Sequence, residues 1–91
     1  MTTATPRMTI DDAEAYAVEV LKFQKTNLLA HGVAVYRNSK RPNATEYITY
    51  DVDGHVGGVW KAGDKKWAEG GCKQKPARSG TYDKDLNKIA D

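Results

Sequence analysis

Two histidines, His31 and His55, are the side chains here best suited to moving protons near neutral pH, because an imidazole ordinarily titrates at roughly 6.5. Each stands beside glycine, in His31-Gly32 and in Asp53-Gly54-His55. Glycine neighbours permit unusual backbone angles and close approach of a ligand. Cleaving RNA without a metal takes a base for the 2′-hydroxyl proton, an acid for the leaving 5′-oxygen, and cations or donors around the phosphorane. A histidine pair with lysines meets that demand, and the candidate cations are Lys25, within Lys25-Thr26-Asn27, and Lys61. The plainer reading makes each histidine a capping or surface residue of a loop.

Other constellations compete with this one. Asp51, Asp53 and His55 recur at spacing two, so on an extended strand they share a face and could grip a divalent metal. Against that, Gly54 can break the alternation, and Asp53 can instead orient His55 by accepting its second ring proton. Cys72 lies in Gly70-Gly71-Cys72 among lysines, which could lower a thiol pKa, but without a convincing local base it reads as a bystander rather than a nucleophile. Gly57-Gly58 is too short for a phosphate-cradling loop and lacks the Lys-Ser/Thr that follows one, which argues against an ATPase or GTPase.

These residues need a scaffold. Thr9 can cap a helix whose first turn holds Asp11, Asp12 and Glu14, while Lys22 and Lys25 suit its negative end. Ala13, Tyr16, Ala17, Val20 and Leu21 form one apolar stripe, predicting a helix over Ile10 to Gln24. Val33 to Arg37 and Thr45 to Asp53 are rich in β-branched and aromatic residues and flank the turn-forming run 38–43, which predicts an antiparallel hairpin. Val59-Trp60-Lys61 and Lys66-Trp67-Ala68 read as two more short strands, the second compatible with a helix. Gly70-Gly71 and Gly80 mark turns, and Leu86 with Ile89 give a last apolar anchor. The expected fold class is α+β: one N-terminal helix packed on a small, curved antiparallel sheet of three or four strands.

Composition bounds the answer. Ninety-one residues make one domain, expected over 9–91 behind a flexible N-terminal segment, 1–8. A net charge of +2 excludes an acidic tail or a histone-like polycation, and 40% hydrophobic residues suffice for a small core. No apolar run exceeds four residues, as in Val33 to Tyr36, which predicts no membrane span, and no leader peptide is expected. One cysteine allows neither an internal disulfide nor a cysteine zinc cage, so a reducing compartment and no cofactor are expected. Charge is uneven: residues 1–36 are net −1, whereas residues 61–78 are net +4, with Lys61, Lys65, Lys66, Lys73, Lys75 and Arg78 against two acids. Trp60 and Trp67 interleave with those cations, offering either surfaces for base stacking or two core residues beneath solubilising lysines.

Taken in order, Lys25-Thr26-Asn27, His31-Gly32, Val35-Tyr36, Tyr47-Ile48, Asp51-Val52-Asp53, His55, Gly57-Gly58-Val59-Trp60-Lys61 and Gly80-Thr81-Tyr82-Asp83 with Leu86-Asn87-Lys88-Ile89 resemble the bacterial toxin 21 domain, from about residue 18 onward. That resemblance implies a toxin domain carried by a larger polymorphic toxin of the contact-dependent growth inhibition, Rhs or YD-repeat type. It further implies a ribonuclease with a barnase-like fold, delivered to a competitor's cytoplasm and neutralised in its maker by a cognate immunity protein. It makes His31, His55, Lys25 and Lys61 the leading catalytic positions, with Asp53, Thr81 and Tyr82 beside them. RNA is the implied substrate, transfer RNA being favoured because a toxin delivered in few copies must strike a scarce, essential target, and a translation elongation factor is a further partner that some toxins of this delivery class require. Ala30, Val33 and Ala34 depart from the Ser before and the Gln-Pro after the His-Gly pair that the family often carries. The run Arg37 to Ala44 is longer than usual and brings Lys40 and Arg41.

Overall fold

The computed structural model describes residues 8–52, 58–72 and 78–90, with Arg78 and Ser79 described by their backbone. Helix α1 (Ile10–Glu19) precedes strands β1 (Gln24–Ala30) and β2 (Val33–Arg37), a 3-10 turn (Asn43–Thr45), and strand β3 (Tyr47–Tyr50). Strand β4 (Trp60–Gly63), helix α2 (Lys65–Glu69) and strands β5 (Arg78–Tyr82) and β6 (Lys88–Ala90) complete the order. Among the described residues, six strands form one antiparallel sheet in sequence order, so each pairs with its neighbours in the chain. The α+β class holds, while the sheet has six strands rather than three or four and is not strongly curled.

Thr9 caps α1 as its chemistry demands, its hydroxyl accepting the Asp12 N–H at 3.2 Å. The helix is shorter than the periodicity predicts. Lys22 turns into the left-handed region at φ 64°, and Phe23 returns its N–H to the Ala17 carbonyl at 2.8 Å. That reversal buries Phe23 and starts β1 at Gln24, so Lys25-Thr26-Asn27 belongs to an edge strand, and neither Lys22 nor Lys25 lies in the helix's last turn. Only Ala13 and Ala17 of the expected stripe are fully buried, and Val20 is exposed.

Strand alternation divides the core. Tyr36, Ile48, Tyr50, Trp60, Ala62 and Tyr82 join Ala13, Ala17 and Phe23 beneath α1, with Tyr50 set edge-on to Trp60 at 6.5 Å. Val35 and Tyr47 point the other way and pack on Trp67, Ala68 and Cys72 of α2 and its exit. The segment around Trp67 is thus a helix, capped by Asp64 accepting the Trp67 N–H at 2.9 Å. Gly80 sits inside β5 rather than in a turn: at φ 143° a Cβ there would lie 2.5 Å from the Ala90 carbonyl oxygen of β6. Among the described residues no helix is long and apolar enough to cross a membrane.

Candidate functional site

Cross-strand register builds a row across four strands. Val35 pairs with Thr49, Thr49 with Lys61, and Lys61 with Thr81. Paired residues share a face, and this is the α2 face, opposite Trp60 and Tyr82. Thr49 is 1% and Thr81 6% exposed, and the Thr49 hydroxyl donates to the Ala34 carbonyl at 3.1 Å. Lys61 Nζ lies 3.6 Å from Asp51 Oδ1, with the two side chains 12% and 4% exposed. Removing two such charges from water is costly unless they face each other, so Asp51 fixes where the ammonium rests.

Cys72 borders this row. Burial pushes its thiol up to about 11, and the charge of Lys61 only partly offsets this. Desolvation outweighs the lowering that nearby lysines could exert, and Cys72 is a protonated packing residue, as a bystander cysteine would be.

His31 occupies the β1–β2 turn with Gly32, at φ 50° and 79°. Two consecutive positive φ values make the tight hairpin turn that matches strand twist, and the turn leaves the imidazole exposed. Because Val35 pairs with Thr49, the hairpin tip rises at the sheet end where Asp51 closes β3 and donates its N–H to Val59 at 2.8 Å. Val52 and Gly58, which flank the next segment, stand at that same end. At about 3.3 Å per residue and 4.8 Å per strand, the His31 and Lys61 backbones are on the order of 15 Å apart.

The remaining expected residues scatter. Lys25 pairs with Tyr36 and so stands on the α1 face, across the sheet from Lys61. Tyr82 pairs with Trp60, also on that face, and is buried. Trp60 and Trp67 are both 0% exposed, so neither offers a ring to a stacking base; they are core residues, because each lies on the inward side of its element. Lys65 and Lys66 are exposed on α2. His55, Asp53, Lys73 and Lys75 lie outside the described residues, as does the side chain of Arg78. Of the three residues in the metal alternative only Asp51 is among the described residues, and its carboxylate faces the Lys61 ammonium. Thr49 was missed, although Thr49-x-Asp51 alternation on a strand signals a shared face.

The comparison with known families gives the class: it is a toxin domain of the polymorphic type. Residues 15–91 match the model of Ntox21, novel toxin 21, and the chain belongs to that family. No curated protein and no solved structure matches it significantly, and the barnase-like arrangement stays an expectation.

Proposed function

We propose that this toxin domain is a cytotoxic endoribonuclease that cleaves RNA by 2′-hydroxyl attack without a metal ion. The observation that carries the reading is Lys61, an ammonium held on a sheet face between two threonines and aligned by a buried carboxylate, at the sheet end that also bears His31. One of His31 and His55 takes the 2′-hydroxyl proton. The 2′-oxygen then attacks phosphorus, and the other histidine protonates the departing 5′-oxygen, leaving a 2′,3′-cyclic phosphate. Lys61 stabilises the added negative charge of the phosphorane, worth a few kcal/mol where water is scarce, and Thr81 donates a hydrogen bond. Asp53 orients His55. Lys25 and Tyr82, across the sheet, take no direct part.

Transfer RNA is the favoured substrate because a domain delivered in few copies must strike a scarce, essential target. The protein would act in the cytoplasm of the recipient cell, having arrived as part of a larger secreted toxin. The test uses His31→Asn and His55→Ala. Asparagine tolerates positive φ, so it removes the proton carrier while sparing the turn. Each variant is expected to cleave RNA at least about 100-fold more slowly; full toxicity of both rejects the reading and leaves a non-catalytic binding module instead.

A further inference from the structure

At the opposite end of the sheet from His31, a cleft of about 260 Å³ is lined by Lys22, Gln24, Arg37, Asn38, Ser39 and Lys40. Three of these carry positive charge, the other three offer amide or hydroxyl groups, and none is a carboxylate. Glu46 lies beside the cleft, accepting from Arg37 Nε at 2.7 Å, and the guanidinium stacks 5.6 Å above the Tyr47 ring. Arg37 is thereby held with its terminal nitrogens left to serve as donors.

The walls are braced by a single side chain. Asn38 Nδ2 donates to the Leu21 carbonyl at 3.2 Å, and Asn38 Oδ1 accepts the Lys40 N–H at 2.9 Å. The Asn38 N–H reaches the Glu46 carbonyl at 2.9 Å, and its own carbonyl accepts the Arg41 N–H at 3.1 Å. Asn38 thus ties the α1–β1 turn to the β2–β3 loop, and the left-handed Lys22 presents its side chain from the first of these. A concave, braced cluster of cations and neutral donors suits a phosphodiester, which carries full negative charge and accepts through several oxygens.

We infer that this cleft is a second nucleic-acid site, gripping backbone phosphates of a single strand whose scissile bond lies at the far end of the sheet. The inference rests on the ribonuclease reading for its purpose, but its test reads binding and not cleavage. Small size and concavity favour a phosphate group over the broad, flat surface of an acidic protein.

The probe is a fully 2′-O-methylated RNA oligonucleotide, which offers no attacking hydroxyl, with binding followed by fluorescence anisotropy across a salt series. Lys22→Asn, chosen because asparagine accepts the φ of 64°, is combined with Lys40→Gln. A matched pair, Lys84→Ala with Lys88→Ala, removes equal charge beside the β5–β6 turn; circular dichroism verifies folding of both. At about 0.7 counterions per phosphate contact for single strands, the cleft pair should lower the salt slope by about 1.4 and weaken binding at least tenfold at low salt. The matched pair should change the slope by less than half as much. Equal losses in both pairs, or an unaltered slope in the cleft pair, overturns the inference. So does weakened binding of inorganic phosphate alone with oligonucleotide binding intact, which means a free-anion site, or weakened binding of the immunity protein alone, which means a protein contact. Binding that responds as expected in a domain that cleaves no RNA would reject the nuclease reading and keep the site.

Discussion

The two roles proposed for Lys61, in stability and in cleavage, separate experimentally. With Asp51 only 4% exposed, replacing the lysine by methionine leaves a buried carboxylate without the cation that faces it, and about 3 kcal/mol of stability should be lost in urea unfolding. Adding Asp51→Asn to Lys61→Met should recover part of that loss, while RNA cleavage stays abolished. Recovery of cleavage in the double variant would contradict the role given to the ammonium. Cys72 supplies a second test. With its thiol held near 11 against an ordinary 9.0, the folded state carries about 100-fold less thiolate at pH 8 than an unfolded chain, and disulfide-reagent labelling should slow accordingly. The folded protein keeps its proton longer than the unfolded one. The stability tied to this thiol is therefore complete below about pH 9 and lost as pH rises toward 11. Melting temperature across that window should fall less steeply in Cys72→Ala than in the parent.

At the scale of elements, the indoles of Trp60 and Trp67 hold the two sides of the sheet together. Trp67→Ala should cost about 3–5 kcal/mol, whereas Trp60→Phe and Trp67→Phe, if folded, should bind the methylated oligonucleotide as the parent does. A tenfold loss of binding in the folded Phe variants would restore a stacking role. Much of this architecture is legible in residue order. Thr9 with its acidic first turn announces α1, and β-branched runs announce β2 and β3. What is not legible has physical causes. The end of α1 depends on Lys22 adopting a left-handed angle that lysine chemistry does not advertise, so the pattern predicts helix through Gln24 and no strand before Val33. β5 and β6 are short and interrupted by Gly80, so their pairing rests on tertiary contact rather than on local pattern. For the site, residue type points to Lys61 and the family resemblance adds Thr81, but only register shows that one strand step separates Lys61 from Tyr82 by the thickness of the sheet, and that Lys25 faces away.

Across the whole molecule the net charge of +2 is small, so affinity for RNA must come from where cations sit rather than from their number. Polymorphic toxin domains usually come with an immunity partner, and we propose an acidic one that covers the basic side by charge complementarity. Its association rate should fall steeply with ionic strength; a salt-independent rate would point to a docking surface elsewhere. A translation elongation factor as co-factor belongs to the same scale, and adding one to a purified cleavage reaction would reveal it as a gain in rate. The central claim is the route of bond breakage, and the most direct measurement of it is the chemistry of the cut ends after incubation with total RNA in excess EDTA. The account predicts cleavage that persists and fragments ending in 2′,3′-cyclic phosphate. Cleavage that vanishes with the chelator, or fragments ending in a free 3′-hydroxyl, would contradict it.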